Sequence, residues 1–231
     1  MSPKRPALLD SFQHAWRGLV HTVRDQRNMR VHVIAGTLVG FVGSGIPLGL
    51  AEKVTLIFCV ILVFFAEILN SALEALVDLA TEQLHENARI TKDAAAAGVL
   101  VLAIGTVVVF AALMVHNWPV VTTERERIVR QLFLGLPVSA CVTFLVWPHR
   151  PLLLLDASAF ALATALLAIQ LADTASTVFT ALTFGLVILA YVTARSRPVR
   201  TPPRPDHHRH AAEQAPPRGQ GAQGRPRPPR S

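Results

Sequence analysis

The 231-residue chain is poor in charge, in aromatic side chains and in cysteine. Charged residues make up 16% and aromatic residues 6%, whereas 52% are hydrophobic and are gathered into long runs. This composition excludes a soluble domain and a disordered chain. Cys59 and Cys141 are the only cysteines, and both lie in apolar runs, so they are expected to pack rather than to form a disulfide framework or a metal site.

Motifs of soluble kinases are also missing. The chain has no G-x-x-x-x-G-K-[ST] loop, and it lacks the Gly-rich loop, the His-Arg-Asp motif and the Asp-Phe-Gly motif of protein kinases. The N-terminal segment has neither a continuous apolar core nor a small-residue cleavage site, so no secretory signal peptide is expected.

The long apolar runs predict an all-α, multi-pass membrane protein with six spans. The predicted spans are residues 31–50, 54–79, 94–115, 131–147, 152–172 and 177–194. Basic residues concentrate before the first span and after the second, fourth and sixth, which predicts that both ends of the chain face the cytoplasm. Arg125, Arg127 and Arg130 in an outer loop go against this rule, although acidic residues lie among them.

The two ends of the chain differ from the spans. Residues 11–25 have the periodicity of an amphipathic helix, which either lies along the membrane interface or packs on the core of its own protein. Residues 197–231 are rich in Pro, Arg, Gly and Gln and are predicted to be a disordered basic tail. A solvated tract is the better interpretation of His207, His208 and His210 than a metal site.

The stretch from Glu67 to Asp78 holds the strongest functional signal. At 100° per residue its polar side chains share one stripe of a helix, at the end of an apolar run and therefore at or just inside the membrane boundary. These polar residues are Glu67, Asn70, Ser71, Glu74 and Asp78. The alternative is that the stripe only faces water beyond the membrane, but a carboxylate within a membrane is by default a functional candidate.

Lys92 and Asp93 follow this stripe after a short polar loop, close enough in sequence to fold back over Glu74 and Asp78. Alternatively, Lys92 and Asp93 only cap and anchor a helix end. Carboxylates, an amide and a lysine at an interface suit phosphoryl transfer to a lipid hydroxyl. Acids can hold the magnesium of a nucleotide, one acid can take the hydroxyl proton, and a cation can bind phosphates.

The run Glu67-Ile-Leu-Asn-Ser-Ala-Leu-Glu-Ala-Leu-Val-Asp78, followed by Lys92-Asp93, resembles the bacterial membrane diacylglycerol kinases and undecaprenol kinases. Trp16-Arg17-Gly18-Leu19 and Arg27-Asn28-Met29-Arg30-Val31-His32 add to the resemblance, which covers about residues 11–115. The second of these motifs is more similar to the undecaprenol kinase branch.

The resemblance implies an N-terminal surface helix, a three-span kinase domain within residues 1–115, and a homotrimer whose sites face the cytoplasm and are shared between subunits. It implies that Glu67 is the general base, that Glu74 and Gln26 are metal ligands, and that Asn70 and Asp78 support them. The nucleotide-contacting positions that it implies are His14, Gln26, Glu74, His85, Lys92 and Asp93. The lipid-contacting positions are Trp16, Asn28, Arg30 and Glu67.

Two departures from the family pattern stand out. Gln26 occupies a position where the family usually has a magnesium-binding Glu, and an amide brings no charge unless Asp25 turns inward to replace it. Residues 116–196 add about three spans of unassigned role. Part of them, from Asp156 onward, is faintly similar to a helix of a lipid phosphatase superfamily, but its Pro-Ser-Gly-His motif is missing.

We therefore expect a phosphotransferase of the inner (cytoplasmic) membrane that uses ATP and Mg²⁺ to phosphorylate undecaprenol or diacylglycerol. No nucleic-acid partner is expected. The alternative is a non-catalytic membrane protein that kept the kinase fold, which Gln26 favours. A small transporter would need polar residues spread over several spans, whereas here they cluster on one.

Overall fold

The computed structural model describes residues 8–81, 86–147 and 153–196, and all regular structure within them is helical. This confirms the all-α prediction. The helices are α1 Leu8–Asp25, α2 Arg27–Gly45, α3 Leu50–Ala80, α4 Glu86–His116, α5 Trp118–Thr123, α6 Arg125–Val146, α7 Leu153–Leu171 and α8 Thr177–Arg195. The predicted tail and His85 lie outside the described residues.

Five of these helices, α3, α4, α6, α7 and α8, are long and apolar enough to cross a membrane. They match five of the six predicted spans. The remaining predicted span, residues 31–50, overlaps α2, which begins at Arg27, ends at Gly45 and is not among the five. Charged and small residues lower its hydropathy, and about half of its residues are buried against other helices.

Helix α2 lies at the centre of the protein, where it packs mainly against α6 and α8 and, less extensively, against α3. Small residues allow this close packing. A Cβ atom at Gly43 would lie 2.5 Å from the ring of Phe179 in α8, and one at Gly135 of α6 would lie 2.5 Å from the ring of Phe41. The additional helices α6 and α8 therefore enclose α2 and do not form a separate layer.

Buried polar contacts join α2, α6 and α7 near the C-terminal end of α2. Ser44 Oγ lies 3.3 Å from Gln131 Oε1 and 3.4 Å from Gln170 Nε2. Each glutamine side chain also donates to the backbone carbonyl of the other, at 3.3 and 3.4 Å. Because buried amides are costly without partners, these contacts favour one register of the three helices.

Helices α3 and α4 form a long antiparallel pair that is less enclosed. Val99 is the only buried residue of α4 among those described. Most of the α4 surface is apolar and exposed within one chain, so it faces lipid or another copy of the protein.

Helix α1 packs one face on the protein itself. Val20 and Val23 are buried in the same cluster as Met29 and Val33 of α2, with Trp16 against it. The first turns of α1 instead expose Leu8, Leu9 and Phe12. The helix therefore combines the two interpretations of its amphipathic sequence, since its C-terminal half packs on the core while its N-terminal half presents an apolar surface.

Candidate active site

The polar stripe of α3 runs from the protein interior to its surface. Glu67 is 1% exposed and Asn70 is 4% exposed, whereas Glu74 is half-buried and Asp78 is exposed. Residues three and four positions apart share a helix face, so the sequence alone places these side chains in one row. Tertiary packing decides that the row begins inside the protein.

Glu67 lines a cavity of about 250 Å³ between α2, α3 and α4. Neither carboxylate oxygen has a hydrogen-bond partner within the described part of the chain. The polar side chains that line the same cavity are Asn28, His32 and Asn70. A buried carboxylate without partners is costly, and such groups concentrate where a ligand or a reaction completes the site.

Asn70 connects the buried and exposed parts of the stripe. Its Nδ2 donates to Glu74 Oε1 at 3.1 Å, while its Oδ1 is buried without a partner among the described residues. Glu67 and Glu74 carry like charges on the same face, and Asn70 lies between them. The stripe therefore offers acceptor oxygens in excess of its own donors, as expected of a site that receives a hydroxyl group or a cation.

The start of α4 contacts the end of this stripe. Lys92 Nζ lies 2.5 Å from Asp78 Oδ1, so the lysine does fold back over α3 as the sequence predicted. Asp93 does not take part in that contact. It pairs within α4 with Arg89, at 2.9 Å, and no contact of Asp93 with Glu74 is seen among the described residues.

The junction of α1 and α2 holds the N-terminal candidates. Gln26 is half-buried and extended, between the two helices. Arg30 Nη1 donates to the Arg24 carbonyl at 2.7 Å, which ties the first turn of α2 to the last turn of α1. Asn28 is exposed and lines the cavity of Glu67.

Asp25 does not turn toward the α3 stripe. Its carboxylate accepts hydrogen bonds from Arg24 Nε at 2.7 Å and Arg24 Nη2 at 2.9 Å. His21 Nε2 is 3.1 Å away. The hydrogen bonds from Arg24 hold the pKa of Asp25 below its usual value. Asp25 is therefore engaged on α1, and it would have to leave Arg24 to replace a missing ligand near Gln26.

The remaining predicted residues lie at different distances from the cavity. Trp16 packs against the buried cluster that includes Met29 and Val33, and it is not among the residues that line the Glu67 cavity. His14 is exposed on α1. His85 lies outside the described residues, so the structure gives it no position.

The described residues contain no group of three or more His, Cys, Asp or Glu side chains that could hold a metal ion. A magnesium ion that arrives with a nucleotide needs less, because one or two protein carboxylates and the phosphates themselves supply its ligands. The oxygen atoms of the α3 stripe fit that requirement. The carboxylate of Glu74 is accessible, and Asn70 Oδ1 has no hydrogen-bond partner among the described residues.

His32 is a residue of this site to which the sequence assigned no role. It lines the Glu67 cavity from α2. The signal was present in the sequence, because His32 follows Asn28 by four positions and therefore lies on the same helix face. Likewise, the spacing of Arg89 and Asp93 by four residues makes Arg89 one of two candidate partners of Asp93, beside the α3 stripe.

Comparisons with known proteins cover the same part of the chain. A family model described as prokaryotic diacylglycerol kinase matches residues 13–114. A diacylglycerol kinase of Synechocystis is 41% identical over 110 residues, which are 47% of this chain and 63% of that protein. The chain thus spans less than two thirds of this relative.

Two shorter relatives are covered more completely. The undecaprenol kinase of Bacillus subtilis is 38% identical over 94 residues, which are 41% of this chain and 76% of that protein. A diacylglycerol kinase of Escherichia coli K12 is 32% identical over 107 residues, which are 46% of this chain and 88% of that protein. No solved structure matches the chain. Helices α6, α7 and α8 lie outside the region that the family model matches.

Proposed function

Because the chain belongs to the prokaryotic diacylglycerol kinase family, we propose that it is a membrane lipid kinase that transfers the γ-phosphoryl group of ATP to the hydroxyl of undecaprenol or diacylglycerol. The observation that carries the proposal is Glu67, a fully buried carboxylate without a partner among the described residues, in the wall of a cavity between membrane helices.

In the proposed reaction Glu67 is the general base. Its free carboxylate accepts the proton of the lipid hydroxyl while the hydroxyl oxygen bonds to the γ-phosphorus, and the bond from that phosphorus to the bridging oxygen breaks to release ADP. Asn28 lines the same cavity and is proposed to contact the lipid. Arg30 and Trp16 hold the α1–α2 junction beside it and are proposed to contact the lipid headgroup region.

The nucleotide is proposed to bind at the exposed end of the stripe. Glu74, with the amide oxygen of Gln26, would hold magnesium, which neutralises phosphate charge when bound. Lys92 and Asp93 at the start of α4, together with His14 and His85, are proposed to contact ATP. Asn70 supports Glu74 through its hydrogen bond, and Asp78 supports Lys92 through their ion pair.

The site is proposed to face the cytoplasm in the inner membrane. The ends of α1 and α3 and the starts of α2 and α4 meet there, and the basic residues of the N-terminal segment concentrate on that side. We further propose a homotrimer, in which the exposed surface of α4 contacts a neighbouring copy. The mass of the detergent-solubilised protein tests this assembly.

A lipid-dependent ATP turnover assay in detergent micelles, run in parallel with undecaprenol and diacylglycerol, tests the activity and its substrate. Glu67→Gln keeps the shape of the side chain but removes the base, so turnover should fall by about 10²–10⁴-fold while ATP binding persists. Glu126→Gln, an exposed acid at the far end of the molecule, is the matched control and should be fully active.

If Glu67→Gln kept more than about half of the parental rate under conditions in which the chemical step is rate-limiting, Glu67 would not be the general base. Absence of turnover with either lipid in the parent protein would favour a non-catalytic membrane protein, the alternative that Gln26 supports.

A further inference from the structure

A second cavity lies beside the Glu67 cavity, in the apolar part of the helices. It has a volume of about 200 Å³ and lies between α2, α3 and α4. His32 and Ala103 line both cavities. The two spaces are therefore neighbours, and these two residues lie at their junction.

The two cavities differ in chemistry. The first presents the polar side chains of Asn28, Glu67 and Asn70. The second is lined almost entirely by small, aliphatic and aromatic side chains, and its one hydroxyl, Thr106, already donates to the Leu102 carbonyl at 2.9 Å. An amphiphile with its hydroxyl at Glu67 would place its adjoining hydrocarbon in the second cavity.

His32 is the polar residue at this junction. It is half-buried, and its imidazole makes no hydrogen bond or ion pair with the described residues. Either ring nitrogen is therefore available for a ligand. A hydroxyl between the two cavities would be within the region that both His32 and Glu67 border.

Helix α8 packs beside Gly36, one of the residues that line the second cavity. Gly36 lines it from α2, and a Cβ atom there would lie 3.3 Å from Leu186 of α8 and 3.3 Å from Val60 of α3. Helix α8 lies outside the region matched by the family model, so the packing around Gly36 involves a segment that the family model does not include.

We propose that the second cavity binds the hydrocarbon segment next to the reacting hydroxyl, and that His32 positions that hydroxyl toward Glu67 by a hydrogen bond. The inference rests on the proposed lipid kinase function. Among the two lipids it favours the polyprenol, whose only polar group is the hydroxyl. Diacylglycerol carries ester groups within a few bonds of its hydroxyl. Apart from His32, which the hydroxyl itself would engage, no residue that lines the second cavity offers a free donor for those esters.

Substitutions at His32 test its positioning role. His32→Leu removes the hydrogen bond and should raise the KM for undecaprenol about two- to tenfold, with an unchanged KM for ATP. His32→Gln keeps a donor and an acceptor and should recover part of the loss. An equal rise of both KM values, or equal behaviour of the two variants, would overturn the role of His32.

Ala103→Leu tests the cavity itself, because the larger side chain would fill the junction. It should raise the KM for undecaprenol about tenfold. Ala111→Leu is the matched control, since Ala111 is an exposed alanine on the same helix and lines neither cavity. Thermal unfolding of both variants establishes that they are folded. Equal KM values in the two variants would contradict the proposed chain site.

Photolabelling provides a test that does not depend on turnover. An isoprenoid alcohol with a diazirine a few carbons from its hydroxyl should label cavity residues such as Val39 and Val60, and Ala103→Leu should suppress that labelling. Undecaprenol should compete more strongly than diacylglycerol. Labelling confined to the outer face of α4, as at Val101 or Val108, would overturn the inference even if the protein is an active kinase. Cavity labelling of an inactive parent would keep the inference and refute the proposed activity.

Discussion

Gly43→Ala should destabilise the contact between α2 and α8 by an amount that the geometry allows us to estimate. A Cβ atom at Gly43 would lie 2.5 Å from Cδ2 and 2.6 Å from Cε2 of Phe179, far inside the separation of about 3.5–4.0 Å at which carbon atoms make favourable contact. Phe179 is completely buried, so its ring has no open space to enter. Either the ring leaves its rotamer or the two helices separate.

Overpacking of this kind costs about 1–3 kcal/mol. Replacement of glycine by alanine within a helix contributes about 0.5–1 kcal/mol in the opposite direction. Comparison with Gly185→Ala, on α8, isolates the overpacking cost, because a Cβ atom at Gly185 meets no other atom within 4 Å. The intrinsic helix effect is shared by both variants, so the stability difference between them should be about 1–3 kcal/mol.

Thermal unfolding in one detergent measures this difference. For a chain of this size, 1 kcal/mol corresponds to about 2–4 °C in Tm, so Gly43→Ala should unfold about 2–12 °C below Gly185→Ala. The two variants should have equal kinase activity while folded, since Gly43 lies at the end of α2 remote from Glu67. Equal Tm values would show that α8 does not pack on Gly43, and the enclosure of α2 by the additional helices would then be wrong.

Three other predictions concern the end of the site where the nucleotide is proposed to bind. Glu74→Ala should raise the magnesium and ATP requirements together in turnover assays, whereas a raised lipid requirement alone would place Glu74 with the lipid. Gln26→Glu should increase activity at limiting magnesium, because a carboxylate is the better ligand for a hard cation; indifference to this change would exclude position 26 from the metal site. Asp25→Asn should leave the magnesium titration unchanged, because Arg24 already holds Asp25. The pKa of Asp25 is lowered in the folded state. The small stabilising effect of the Asp25 carboxylate should therefore be present above about pH 4 and be lost as the pH falls through the folded-state pKa. The difference in Tm between the parent protein and Asp25→Asn should accordingly vanish in acid.

The amino-acid sequence alone was enough to predict the polar row of the site. Glu67, Asn70, Glu74 and Asp78 share a face because their spacing follows the helical period, and no partner helix is needed for that. The approach of Lys92 to Asp78 was also predictable, since a short loop between two long helices brings their adjoining ends together.

Other local pairings depended on choices that spacing does not resolve. Asp93 had two candidate partners, the α3 stripe and its own helix, and the structure pairs it with Arg89. Asp25 could have turned toward Gln26, but the neighbouring Arg24 holds it on α1. In each case the competing contacts are of similar chemistry, so only the geometry of the folded chain selects one of them.

Only the tertiary structure decided which helices enclose α2 and where the two cavities lie. The contacts of Gly43 with Phe179 and of Gly135 with Phe41 join residues far apart in the chain, and nothing in the local pattern of either partner specifies the other. In a membrane, apolar side chains face both lipid and protein, so hydrophobic periodicity does not reveal which face of a helix is buried. The sequence therefore determined the helices and the polar row on α3, whereas close packing at small residues determined the neighbours of α2 and the position of His32 between the two cavities.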